Sequence, residues 1–293
     1  MFYTIENENL KATFSSKGAE IQSLITKSNN KEYIWCADPE IWEDHGPTLF
    51  PMIARLKDGE FAYDGQIYKM PMHGFAKDME MEVIAQKADS ITFNLKASEE
   101  TLKMYPFNFE FTVCYTLDGK TLRKEHTITN HDEKAMYYEV GGHDGYNICM
   151  EDGETMGDYY IDFGDLDALQ VMCLDENVMF LKEYKVFPLE DGKLSLAMET
   201  FKDEALVYRG IPVHSVIIKS KKSDYSLKFD YEGFNTLAVW TRYLPYDSKY
   251  VCLEPWSSLP DCAYLGKEIE EKVDVRLLES GKSEVLAFAV TID

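Results

Sequence analysis

Along the chain the clearest pattern of apolar and polar positions has period two. Phe107, Phe109, Phe111, Val113 and Tyr115 alternate with Asn108, Glu110, Thr112 and Cys114, which predicts a strand with one buried face. The run leads into Leu117-Asp118-Gly119-Lys120, where Asp-Gly is expected to supply the positive-φ residues of a tight hairpin. Leu122, Lys124, His126 and Ile128 then resume the alternation, so the two segments are predicted to pair antiparallel. Similar alternation marks strands at Leu10, Ala12 and Phe14, at Ile91, Phe93 and Leu95, at Tyr225, Leu227, Phe229 and Tyr231, and at Leu286, Phe288, Val290 and Ile292. Helical periodicity is confined to Ser98–Met104, with Ser98 as N-cap and Pro106 closing the segment.

Many short strands with no regular helix between them predict an all-β architecture of stacked antiparallel sheets rather than a parallel βαβ fold. No Pro/Gly/Ser-rich linker, low-complexity run or internal repeat marks a boundary, and all-β domains reach this length undivided. The expectation is one domain over residues 1–293. The acidic, turn-rich stretch from Met150 to Asp167 fits no EF-hand spacing and reads as a solvated acidic hairpin rather than a calcium loop.

Composition narrows the partners. The 293 residues are 45% hydrophobic and 13% aromatic, enough for a sizeable core. Lys+Arg at 30 against Asp+Glu at 52 gives a net charge of -22, a field that repels nucleic-acid phosphates and anionic membrane surfaces. No apolar run approaches the length of a membrane span, and the first residues lack the basic and apolar regions of a secretory signal; a cytoplasmic protein is expected. The six cysteines are scattered with no C-x-x-C pair, so free thiols are expected and no thiolate zinc site is indicated.

Three stretches depart from the alternating pattern. Gly46-Pro47-Thr48-Leu49-Phe50-Pro51-Met52-Ile53-Ala54-Arg55, with Met70-Pro71-Met72-His73-Gly74-Phe75-Ala76-Lys77, sets one Arg and one His among turn-fixing residues. In Gly141-Gly142-His143-Asp144-Gly145-Tyr146-Asn147 the glycines permit close approach of a backbone or a ligand to His143. In Val251-Cys252-Leu253-Glu254-Pro255-Trp256 a β-like run ends on a carboxylate before a proline. Two imidazoles, a guanidinium and a partly desolvated carboxylate make an acid–base set for neutral pH if they meet in space. Taken singly, each has a blander role: a hydrogen-bonded loop histidine, or a glutamate capping a turn.

Leu49-Phe50-Pro51 with Arg55, then His73-Gly74-Phe75, Gly141-Gly142-His143 and Glu254-Pro255-Trp256 resemble, in order, the motifs of the aldose 1-epimerase (galactose mutarotase-like) superfamily, and within it the LacX-like branch. The resemblance spans nearly the whole chain. It implies a large antiparallel β-sandwich of the supersandwich kind with a small-molecule sugar in a cleft, and no cofactor or metal. By similarity, Glu254 is the general base at the C1 hydroxyl and His143 the acid at the ring oxygen, while Arg55 and His73 hold sugar oxygens. Asp203 is the counterpart of a sugar-binding aspartate, Trp240 stacks on a sugar face, and Asn147 lines the same cleft or orients its loop. Two departures bear on preference. Lys77 stands where similar proteins carry Arg, losing the bidentate fork. Asp144 follows His143 where relatives often carry proline; facing the imidazole, it would raise its pKa.

Three functions follow as expectations: an isomerase interconverting α and β anomers of a hexose or related sugar; a non-catalytic carbohydrate-binding protein with the same cleft; and, from the residues alone, a metal site made of His73, His143 and Glu254. The cations placed near the motifs are Arg55, Lys57 and Lys77.

Overall fold

A computed structural model describes residues 1–203 and 205–293 and has the all-β architecture expected. Two large sheets carry it. One has nine strands, running from Lys193–Ser195 through Tyr159–Asp162, Ser215–Ser220, Ser226–Asp230, Ser283–Ile292, Thr121–Asn130, Phe109–Asp118 and Ser90–Lys96 to Glu82–Gln86. The other has eight, ordered Phe180–Pro188, Ala168–Leu174, Leu206–Arg209, Thr236–Trp240, Tyr250–Trp256, Gly141–Gly142 and Thr48–Leu49, with Asp144–Asn147 also paired to Tyr250–Trp256. Pairing within both is antiparallel.

Apart from Leu10–Ser15, the middle strand of a separate three-stranded sheet with Phe2–Glu6 and Ile21–Thr26, the period-two stretches lie in the nine-stranded sheet, where one face meets solvent and alternation is legible. Phe109, Phe111, Val113, Tyr115 and Leu117 are all buried, as are Leu122 and Ile128 on the paired strand. The hairpin turn is shifted by one residue from the expectation. Asp118 pairs with Thr121, so Gly119 and Lys120 form the loop, and only Gly119 takes a positive φ, of 55°. This is the arrangement of a two-residue turn with glycine first. The predicted helix shrinks to one turn, Thr101–Met104, with Ser98 Oγ accepting from the Thr101 amide at 3.2 Å.

The sheets face each other across an aromatic core. Phe50 stacks on Phe111 with ring centroids 4.3 Å apart, and Tyr146 meets Phe229 edge-on at 6.0 Å. Each such ring buries about 150–250 Å², so Phe111→Ala is expected to cost about 3–5 kcal/mol. Residues from Ile5 to Ile292 share this cluster. Strand Tyr250–Trp256 is buried on both faces: Val251 and Leu253 join the inter-sheet core, while Cys252 and Trp256 join separate apolar clusters. The outer face of the eight-stranded sheet is therefore covered as well, and the cavity described below lies there.

The acidic stretch is not a hairpin. Tyr159–Asp162 pairs with Lys193–Ser195 and Ser215–Ser220 inside the nine-stranded sheet. Glu154 turns inward and accepts hydrogen bonds from Ser220 Oγ (2.6 Å), Ser223 Oγ (2.7 Å), the Glu151 amide (3.2 Å) and the Tyr159 hydroxyl. All six cysteines are free thiols, and no described helix is long and apolar enough to cross a membrane.

Candidate active site

Strand Tyr250–Trp256 presents Glu254 outward because Val251 and Leu253 face the inter-sheet core, and period two puts residue 254 on the other face. The segment 141–147 runs antiparallel beside it, with Asp144 opposite Leu253 and Gly145 opposite Cys252. His143 thus falls opposite Glu254, and its Nε2 lies 3.3 Å from Glu254 Oε2.

Two inward contacts hold His143 in this aim. At Gly142 an added Cβ would stand 2.4 Å from the Phe288 ring, so only glycine lets the strand lie this close to the opposite sheet. Asp144 also turns inward, where its Oδ1 takes the Lys124 ammonium at 3.2 Å, both side chains being nearly inaccessible. The condition under which Asp144 would raise the imidazole pKa is not met: residues 142 and 144 point into the core, so 143 points out. Lys124, which reads as one more position of an alternating strand, is instead the buried cross-sheet partner. At Gly145 a Cβ would stand 2.8 Å from the Trp42 ring. The close approach these glycines permit is to protein groups.

The Gly/Pro loops supply the second imidazole. His73, at φ 67°, donates its amide to the Ala54 carbonyl at 2.9 Å, and its Nδ1 accepts the Ala54 amide at 3.2 Å. A neutral ring so held carries its proton on Nε2. Gly74 at φ 74° abuts the Phe50 carbonyl, at 2.2 Å from where a Cβ would be, next to the cis Phe50–Pro51 bond. The His73 and His143 rings meet edge to face at 5.2 Å.

These groups bound a cavity of about 390 Å³, within the range of small-molecule sites. Its wall includes Trp42, Arg55, His73, Lys77, His143, Trp240, Arg242, Glu254 and Trp256. Trp42 lies 5.1 Å from the His143 ring and Trp240 5.5 Å. Of the residues expected at a site, His143, Glu254, Arg55, His73 and Trp240 are brought together. Asn147 is not: its Nδ2 donates to the carbonyls of Glu32 (3.0 Å) and Ile34 (2.8 Å), which orients the loop. Asp203 is exposed and does not line the cavity. Lys57 is also absent from the wall, its amide spent on Asp261 at 2.6 Å.

Sequence reasoning missed Trp42, Arg242 and Cys252. Arg242 lies two residues beyond Trp240, so the period-two rule carries a signal for it; Trp42 lies on an irregular segment and has none. The triad His73, His143, Glu254 is not the compact ligand set. Among the described residues that set is His143, Cys252 and Glu254.

Burial governs the charges. It pushes Glu254 well above the usual carboxylate range, with the Trp256 indole offsetting part of the rise, and it pulls His143 down to about 4. His73 is drawn well below the usual imidazole range by burial and by His143. Buried as both groups are, the 3.3 Å pair is thus driven toward its uncharged form, carboxyl beside imidazole.

Known proteins share this arrangement of sequence and fold. The aldose 1-epimerase family model matches residues 1–269. The plasmid-encoded protein LacX of Lactococcus lactis subsp. lactis is 30% identical over 285 residues, 94% of each chain. A galactose mutarotase related enzyme from Lactobacillus acidophilus superposes with a TM-score of 0.93 at 34% identity, covering 100% of this chain and 97% of the other. A galactose mutarotase-like protein from Lactobacillus casei ATCC 334 superposes at 0.92 with 28% identity over all of both chains.

Proposed function

Because the chain belongs to the aldose 1-epimerase family, we propose that it interconverts the α and β anomers of a hexose or related aldose by general acid–base ring opening. The observation that carries this reading is the 3.3 Å contact between His143 Nε2 and Glu254 Oε2 at the wall of an aromatic-lined cavity. Transfer of one proton across that contact turns the uncharged pair into carboxylate and imidazolium. In that form Glu254 takes the C1 hydroxyl proton, the C1–O bond to the ring oxygen breaks, and its electron pair goes to the ring oxygen, which His143 protonates. Rotation about C1–C2 presents the other carbonyl face, and the reverse steps close the ring with the anomeric centre inverted.

The remaining groups orient the sugar. His73 offers an Nε2–H and Arg55 a guanidinium to sugar oxygens, and Trp42 and Trp240 offer flat faces to its C–H surface. Each proton-transfer group is worth about 10²- to 10⁴-fold, and orientation within the cavity adds to that. No cofactor is required by this chemistry.

Saturation-transfer NMR between the α and β anomers of glucose, galactose and their 6-phosphates tests the proposal. Exchange is expected to rise above buffer for at least one sugar and to collapse in both Glu254→Gln and His143→Asn. If a sugar binds by calorimetry with no added exchange, the non-catalytic carbohydrate-binding reading replaces this one.

A further inference from the structure

The compact set of His143, Cys252 and Glu254 has chemistry that anomer exchange does not use. Cys252 and Glu254 are two apart on one strand and project to the same face, while His143 stands opposite Glu254 on the paired segment. Their ligand atoms all lie within 4.8 Å of one another, and all three residues are buried. Cys252 is wholly inaccessible, with apolar neighbours including Trp35 and Tyr250. A tetrahedral Zn²⁺ with bonds of about 2.0–2.3 Å sets its ligand atoms about 3.3–3.7 Å apart. The imidazole–carboxylate separation of 3.3 Å already matches that figure. Closing the remaining distance to sulfur takes a side-chain shift of no more than about 1–1.5 Å.

We infer that this cavity has a second ligand class: a thiophilic divalent cation, held by His143 Nε2, Cys252 Sγ and Glu254 Oε2, that occupies the acid–base pair and excludes the sugar. Three protein ligands from two hydrogen-bonded strands leave a fourth position toward the cavity that His143 and Glu254 line, which is the open arrangement of an accessible zinc site. Sulfur and imidazole beside one carboxylate oxygen select Zn²⁺ or Cd²⁺ over Mg²⁺ and Ca²⁺, which prefer all-oxygen sets. Glu43 and Asp44 border the cavity together with Arg55, Lys77 and Arg242, so the lining is locally balanced, and it is the net charge of -22 of the chain as a whole whose long-range field draws cations in.

That the ion excludes a sugar rests on the proposed function; that it binds does not. The direct test is therefore run without sugar. Cd²⁺ is titrated into full-length protein in a Cys36→Ser background, which removes the exposed thiol, and sulfur-to-metal charge-transfer absorption is followed. One equivalent is expected to produce the band, and Zn²⁺ to abolish it by displacement. Cys252→Ser is expected to lack the band while keeping its circular dichroism and thermal transition. Glu254→Gln and His143→Asn should each weaken binding by more than the about 10- to 100-fold that follows loss of an outer-shell partner. The inference is overturned if no band forms, if it persists in Cys252→Ser, or if neither of the other two substitutions alters affinity. If anomer exchange is observed, Zn²⁺ should suppress it competitively in the Cys36→Ser protein and far less in Cys252→Ser.

Discussion

Two buried glutamates, Glu154 and Glu254, are pushed in opposite directions by their surroundings. Glu154 is held by Ser220, Ser223 and Tyr159 hydroxyls and the Glu151 amide, and although burial opposes it these donors bring its carboxyl pKa down to about 2. Glu254 has one imidazole at 3.3 Å and the Trp256 indole nearby, and burial carries it well above the usual range. A carboxylate supplied with donors is a fixed charge that ties strands together. One left short of donors at a cavity wall is ready to exchange a proton.

Glu254→Gln sharpens the contrast most. It keeps the volume and removes the proton acceptor, so turnover is expected to fall about 10²- to 10⁴-fold with the thermal midpoint nearly unchanged or raised, since a buried carboxyl is lost. A midpoint that fell sharply while exchange persisted would make Glu254 the structural glutamate and break the comparison.

Next in size is the pair behind His143. Lys124→Met leaves Asp144 buried without its cation and is expected to cost about 3–5 kcal/mol by denaturant unfolding, whereas Lys124→Met with Asp144→Leu should recover most of that loss. A single variant as stable as the parent would show that Asp144 finds another partner.

Glu154→Gln is smaller and of the opposite kind: about 1–3 kcal/mol of stability with anomer exchange unaltered. The pH dependence has a fixed sign. A folded pKa of about 2 against the ordinary 4.5 means that the contribution is complete above the ordinary value and lost as pH falls toward the folded one. The gap between parent and variant midpoints should therefore shrink between pH 5 and pH 2; a gap that stayed constant would remove the ionised carboxylate from the account.

What the sequence disclosed follows the same division between surfaces. Strands of the nine-stranded sheet, wet on one face, announce themselves by alternation, as Phe109–Asp118 does. Tyr250–Trp256, buried on both faces, shows none, and its importance came from the motif around Glu254. Residues that meet the cavity through Gly/Pro loops were legible because those loops break the pattern. Trp42 was not, because a half-buried aromatic on an irregular segment differs in no local way from any other. For Lys124 the alternation placed the residue inward correctly but said nothing of its partner: Asp144 lies on the other sheet, and no local pattern encodes a contact through the core.

The smallest expected effect concerns Asp203, which the resemblance pairs with a sugar-binding aspartate. Phe201 beside it is buried and Ala205 lines the cavity, yet Asp203 itself is exposed and away from the wall. A side chain in water that touches no other group of the site contributes no more than a typical surface position, within about 0.5 kcal/mol. Asp203→Asn should therefore leave both kcat and KM for anomer exchange within about 2.3-fold of the parent, that energy converted at about 1.36 kcal/mol per decade. A KM raised tenfold or more with kcat unchanged would mean that the sugar reaches this turn when bound, and that the site extends beyond the cavity wall; a loss in kcat alone would instead place Asp203 among the groups that act on the reacting atoms.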